Sequence, residues 1–272
     1  RMNAIMEKQE MEKEFQVWAN ADPVRKKQYG GLLKAFQDAY AELEPVELSF
    51  TYAVEAGLGI ELVRYAYSFN KLVNACKKDP EDEELEELLG QYRQSAENFF
   101  KNYHLPIDYD IAAILLRSYY EDLDADHWPD IFNEVQDKYD GDIDEYRDEV
   151  YDESIFTSAA EVDAFLDKFK AKKYKAIEKD PAYVLANSIY QEYFNDVRPD
   201  LRRLDAEIDS LQRIYMQAQM EFMPGHRFYP DANFTLRVTY GTVKGYEPRD
   251  AVTYKHYTTL EGIMEKEDPN IY

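Results

Sequence analysis

Any chemistry in this chain would have to come from its serines, its four histidines, its single cysteine or its acidic runs, and none of these stands in a setting that completes a site by itself. A serine nucleophile needs a strained elbow or a glycine-flanked loop of the Gly-x-Ser-x-Gly kind, with a base in reach. Ser49, Ser68, Ser95, Ser118, Ser154, Ser158, Ser188 and Ser210 all lack that setting, and most lie on helical patterns. His104, His127, His226 and His256 are scattered, without the His-Glu-x-x-His or Glu-x-x-His spacing that puts two ligands on one helix face. Asp124-x-x-His127 occurs once with no partner motif and reads as a solvated loop. The acidic run Asp140, Asp142, Asp144, Asp148 imitates the start of a calcium loop, but Glu145 stands where that loop needs Gly and Tyr151 where it needs a bidentate Glu. The alternative is a charged surface joining two helices. Cys76 continues an apolar stripe with no His beside it, the pattern of a buried thiol. The 24 tyrosines could line a groove for an extended ligand, although aromatics at helical spacing belong first to a core. The residues therefore assign no catalytic, cofactor-binding or metal-binding position and leave substrate contacts unassigned.

The elements that would position a site are mainly helices. Leu85, Leu88, Leu89, Tyr92, Ala96, Phe99, Phe100 and Tyr103 form one stripe at helical spacing, opposite a Glu-rich face. Leu201, Leu204, Ile208, Leu211, Tyr215, Ala218 and Phe222 repeat the pattern, as do Leu58, Leu62, Tyr65, Phe69, Leu72 and Cys76, and both suit long antiparallel helices. Asp22-Pro23, Asp79-Pro80 and Asp180-Pro181 each pair a carboxylate that can cap free N–H groups with a Pro suited to the first turn, so each predicts a helix start. Ser158 with Glu161 reads as a capping box ahead of Val162, Phe165, Leu166 and Phe169. Pro199 should kink or interrupt the last helical stretch. No fixed-period repeat links the helices, which points to an irregular antiparallel bundle rather than a solenoid.

The charge divides the chain. Residues 1–224 carry 26 basic and 48 acidic side chains, against 6 and 7 in 225–272, within a formal total of −23. Such a balance argues against nucleic acid as a partner, and the lack of any apolar run of about 18 residues argues against membrane insertion. After Pro224-Gly225, Phe234, Leu236, Val238 and Tyr240 alternate with Thr235, Arg237 and Thr239 in strand periodicity. Gly241, Gly245 and Pro248 punctuate turns, and Ala251 to Thr259 reads as a second β segment. Two or three strands make a poor sheet alone, so they are expected to join a larger β domain.

The run from Phe228 to Tyr246, followed by Pro248-Arg249-Asp250, Tyr257-Thr-Thr and Glu265-Lys-Glu-Asp-Pro269, is similar to bacterial serine dipeptidyl-peptidases of the types numbered 7 and 11. The resemblance extends to Tyr215-Met-Gln-Ala-Gln-Met220 and, more loosely, to Glu12-Lys-Glu-Phe-Gln-Val-Trp18 and Asn20-Ala-Asp-Pro23; residues 40–200 match in helical character only. Phe234 departs from the pattern, where many relatives have a small polar residue.

The resemblance implies a mainly α chain that is an internal fragment of a chymotrypsin-like peptidase: an inserted helical domain, 1–224, capping the cleft, and the start of the second β-barrel, 225–272. It implies a parent enzyme that removes dipeptides from free peptide N-termini by Ser-His-Asp acyl transfer, without a cofactor or metal. The triad is expected outside these residues, which leaves the fragment inactive. Peptides are the implied partners, with a homodimeric parent compatible, and the implied location is the periplasm or cell surface of a Gram-negative bacterium. The competing expectation is a stand-alone helical module that binds proteins through an aromatic groove.

Overall fold

A computed structural model describes residues 2–78, 80–230, 234, 236 and 238–268, with the backbone alone for Met2 and Asn3. It divides into two compact units, Arg1–Pro224 and Gly225–Tyr272.

The first unit opens with α1 (Met2–Asn20), α2 (Pro23–Tyr29) and α3 (Leu32–Thr51). Asp22 starts α2 as its type and position predict, its Oδ1 accepting from Val24 N at 2.9 Å and Arg25 N at 3.0 Å. These helices pack on α13 (Arg198–Phe222) and form a stem with two small cores. Phe15, Ala19, Tyr29, Leu32 and Ala218 make one; Ala39, Leu43, Val46, Val197, Leu204 and Ile208 make the other. The stripe from Leu201 to Phe222 is thus the inward face of α13.

Between the two arms of the stem lies a larger globule. It runs through α4 (Glu61–Ser68), α5 (Asn70–Lys77), α6 (Asp82–Phe100), α7 (Leu105–Asp122), α8 (Asp130–Lys138), α9 (Ile143–Glu153), α10 (Ala159–Asp167), α11 (Tyr174–Ile177) and α12 (Pro181–Glu192). Its core is aromatic at the centre: Phe69, Tyr119, Phe132 and Phe156 are fully buried among Leu62, Leu72, Leu89, Leu116 and Leu166. Each such side chain contributes about 1.5–3 kcal/mol by leaving water. Leu85, Leu88, Leu89, Tyr92 and Ala96 of α6 are buried in the same core.

Two buried carboxylates fix the globule. Asp180 caps α12 through Ala182 N and Tyr183 N at 3.0 and 3.3 Å, and also accepts from Ser154 Oγ and Ile155 N at 2.8 and 2.9 Å. The cap expected at Asp180-Pro181 therefore also ties down the chain after α9. Asp108 of α7 caps α4 from a distance. Ile60 at the N-cap of α4 has no oxygen to offer, and the Asp108 carboxylate accepts from Glu61 N at 2.8 Å and Leu62 N at 3.1 Å.

Several local expectations change. The stripe from Leu58 to Cys76 is not one helix: Leu58 follows a π turn, and the rest is divided between α4 and α5, with Phe69 fully buried at the break. Ser158 is the N-cap of α10 in extended conformation, but its hydroxyl caps no N–H, so the expected capping box does not form. Asp79 lies outside the described residues; α6 starts at Asp82 with Glu81 extended before it. Pro199 does interrupt the last helical stretch. α12 widens into a π turn, Tyr193–Val197, closed by Arg198 N donating to Tyr193 O, which makes room for the Pro ring before α13 resumes.

The second unit contains β1 (Tyr246–Arg249) and β2 (Val252–Tyr254), antiparallel with Tyr246 opposite Tyr254 and Arg249 opposite Val252, and a single helical turn, α14 (Glu261–Met264). Ala251 in the turn has φ 60°. Pro248 sits within β1, not at a turn, and β2 covers only part of Ala251–Thr259. Of the strand expected over 234–240, Thr235 and Arg237 lie outside the described residues, and Phe234, Leu236, Val238 and Tyr240 form no regular strand and are exposed. Alternation specifies a face but not a partner, and no strand pairs with this segment among the described residues.

Candidate functional site

The residues with catalytic potential are mostly engaged in holding the fold. Ser154 Oγ donates to Asp180; Ser188 Oγ accepts from Ile131 N at 2.9 Å; Ser68 and Ser210 donate to carbonyls of their own helices. Ser49 is buried with no partner for its hydroxyl. No serine is hydrogen-bonded to a histidine among the described residues, so the nucleophile–base pair of acyl transfer is not assembled there. Cys76 ends the inward face of α5, where burial pushes its thiol up and away from the reactive thiolate. His104 precedes α7, His226 lies against Phe228 and His256 against Tyr257.

The acidic run before and within α9 is committed to protein partners. Asp140 and Gly141, with φ 52° and 79°, turn the chain; Asp142 then caps α9 by accepting from Asp144 N and Glu145 N at 3.1 and 3.0 Å. Asp144 pairs with Arg117 and Arg147, and Asp148 with Arg147, whose guanidinium also lies 4.4 Å from the centre of the Tyr109 ring. Tyr109 donates to Asp148 at 2.6 Å; that bond, with the Arg147 contacts, lowers the Asp148 carboxyl. Tyr151 points inward to Asp108. No group of three or more His, Cys, Asp or Glu able to hold a metal occurs among the described residues.

Among the surface depressions of the described residues, two involve the stem. One, of about 410 Å³, lies in the stem between α1, α3 and α13, with Leu33, Phe36, Tyr40 and Tyr215 as its apolar wall and Lys8 and Glu12 at its rim. Tyr215 and Phe36 meet edge to face with ring centres 5.8 Å apart. Two of the 24 tyrosines, Tyr40 and Tyr215, line it.

The other, of about 420 Å³, lies where globule and stem meet. Asp126 and His127 of the 3-10 turn Ala125–His127, Trp128 just after it, and Asp130 of α8 line it together with Val46 of α3, Val197 and Asp200. Glu192 and Asp196 also line it. Glu192 is half-buried; lost hydration first, then the charges of Asp196 and Asp130, push its carboxyl up to about 7. Sequence reasoning did not find this cleft. Its carboxylates are spread over some seventy positions and share no spacing motif.

The fold is mainly helical, and no serine is hydrogen-bonded to a histidine among the described residues. By sequence the chain belongs to the peptidase S46 family, whose model matches residues 1–272. It is 32% identical over 276 residues to an Asp/Glu-specific dipeptidyl-peptidase of Flavobacterium psychrophilum, covering 100% of this chain and 37% of that protein. It is 35% identical over 275 residues to dipeptidyl-peptidase 7 of Phocaeicola vulgatus, covering 98% and 36%. The crystal structure of Porphyromonas endodontalis DPP11 in complex with the dipeptide Arg-Glu superposes with a TM-score of 0.75 at 30% identity, over 99% of this chain and 38% of that one. The chain thus spans little more than a third of the length of the relatives it matches.

Proposed function

We propose that this chain is the cleft-capping part of a serine-type dipeptidyl-peptidase that releases dipeptides from the free N-termini of oligopeptides. The observation that carries the reading is the family match along all 272 residues, together with relatives whose names state dipeptidyl-peptidase activity. In this reading residues 1–224 supply a roof that admits only short N-terminal segments, and 225–272 contribute to the second β-barrel of the catalytic domain. The Ser, His and Asp of acyl transfer come from outside these residues, and the isolated chain is inactive. Peptides are the ligands, as a bound dipeptide in the P. endodontalis relative suggests. A periplasmic or cell-surface location and a homodimeric parent belong to the same reading.

The mechanism asks positioning of this segment rather than chemistry. A roof fixes the substrate's first residues against the nucleophile and excludes longer extensions, lowering the entropic part of the barrier. The test is release of a fluorophore from dipeptidyl amides with free and with acetylated N-termini, by the protein expressed from its full reading frame and by residues 1–272. Cleavage of the free-amine substrates alone, by the longer protein alone, is the expected result. Equal cleavage of acetylated substrates, or cleavage by residues 1–272, overturns the reading.

A further inference from the structure

We propose that the lysine cluster between α10 and α12 is a docking surface for an anionic lipid bilayer, on which the protein lies without entering it. Residues 168–179 carry six lysines, Lys168, Lys170, Lys172, Lys173, Lys175 and Lys179, against one Glu. They belong to a unit in which 26 basic side chains stand against 48 acidic ones, so the cluster is a cationic island on an acidic body. All six lysines are exposed, and none is in an ion pair with a described residue. The carboxylates next to them in the chain are engaged elsewhere. Glu178 is taken by Lys77 of α5 at 2.7 Å, Asp167 lies 3.7 Å from Arg93, and Asp180 is buried among its four donors.

The fold holds these lysines in a dense, fixed array. The chain runs through the 3-10 turn Ala171–Lys173 and directly into α11, both packed on α5, so that residues 171–177 advance only about 12 Å. Lys173 N donates to Lys170 O at 2.7 Å, and Lys179 N to Ala176 O at 3.3 Å. Phe169 and Ile177 pin the segment to the core of the globule. The chemistry selects the partner. The segment has no Arg, whose planar fork reads single phosphates or carboxylates in pairs; Lys offers hydrated point charges without such geometry. The six line none of the depressions formed by the stem, α5, α6 or α12, where an acidic peptide would be held in register. Phe169 is buried and Tyr174 partly buried against the core, so neither presents a free ring for stacking nucleic-acid bases. Clustered ammonium groups of this kind match a surface of many anionic headgroups, to which each lysine is attracted separately. Repulsion from the acidic remainder of the protein fades beyond about 8 Å at physiological ionic strength, which leaves the contacting patch to decide.

The test is co-sedimentation of the protein expressed from its full reading frame with phosphatidylcholine vesicles containing about 30% phosphatidylglycerol. The protein is expected to bind these vesicles, and not pure phosphatidylcholine, at about 0.1 M NaCl and to be released at about 0.5 M. The variant K168Q/K170Q/K172Q/K173Q/K175Q/K179Q is expected to lose roughly fivefold or more of the bound fraction. A second variant, K8Q/K13Q/K26Q/K27Q/K34Q/K101Q, removes the same charge from likewise exposed lysines elsewhere and is expected to keep binding within about twofold. No binding by the wild type, an undiminished fraction in the first variant, or an equal loss in the second overturns the proposal. So does retention on polyglutamate without vesicle binding, which would assign the cluster to an acidic peptide. If the first variant does not fold, undiminished binding by K170E/K173E overturns it equally. Dipeptide release is not the readout, so this proposal and the peptidase reading fail separately.

Discussion

The hydroxyl of Tyr151 donates to Asp108 Oδ2 at 2.7 Å, joining α9 to the carboxylate that caps α4. Tyr103 Oη adds a longer bond of 3.3 Å to the same oxygen. Asp108, 3% exposed, thus collects donors from α4, from α9 and from the segment before α7. Burial and the nearby Asp108 charge raise the Tyr151 hydroxyl, which keeps it a donor throughout the neutral range.

Replacing Asp108 by Ala leaves two backbone N–H groups and two hydroxyls without their acceptor. The expected loss is about 2–4 kcal/mol, against about 1 kcal/mol for Y151F, which removes one bond and leaves the cap. Urea unfolding followed by far-UV circular dichroism measures both. Equal effects would mean that the cap contributes nothing beyond the tyrosine.

Asp180 makes the second such prediction. Its carboxylate takes four donors at 5% exposure, and burial, the larger effect, raises its carboxyl although the donors pull it back. D180A is expected to cost about 2–4 kcal/mol, and S154A about 1 kcal/mol. Amide hydrogen exchange should speed first in the segment 154–157, which loses its anchor at Ile155 N.

Glu192 gives stability a pH dependence of definite sign. Its carboxyl is raised from 4.5 to about 7 in the fold, so its favourable contribution is complete below about pH 4.5 and is lost as pH rises through about 7. E192Q should therefore stabilise the protein by about 1–2 kcal/mol at pH 8, allowing for solvent screening, and by little at pH 4.5. Melting curves at both pH values decide it; a larger gain at the acid end would reverse the assignment.

Gly57 sits against the buried side chain of Ile189, and a Cβ there would lie 2.9 Å from Ile189 Cδ1. G57A is expected to cost about 1–3 kcal/mol by overpacking, and adding I189A should recover part of it, a coupling that a double-mutant cycle reads directly. Additive losses would mean that the two positions do not press on one another.

What the sequence made legible was what depends on near neighbours. The caps at Asp22 and Asp180, the inward faces of α6 and α13 and the break at Pro199 all follow from residues within a turn or two. What it hid depends on distant partners. Asp108 caps a helix 46 residues upstream of it, and nothing in its local spacing says so. The Leu58–Cys76 stripe keeps helical phase across a π turn and a break, so periodicity alone could not show the cuts. The strand over 234–240 was read from alternation, which cannot supply a pairing edge. No catalytic site was legible in the sequence, and the cleft around Glu192 escaped because it draws on three distant stretches of chain, at Val46, 125–133 and 192–200.

The central claim, that these residues position substrate without supplying the nucleophile, is tested most directly by serine replacement in the protein expressed from its full reading frame. Each of Ser49, Ser68, Ser95, Ser118, Ser154, Ser158, Ser188 and Ser210 is changed to Ala, and covalent labelling by a dipeptidyl phosphonate is measured alongside dipeptide release. The account predicts that every folded variant is still labelled and still releases dipeptides. Loss of both labelling and activity in any one folded variant would place the nucleophile within this chain and contradict it.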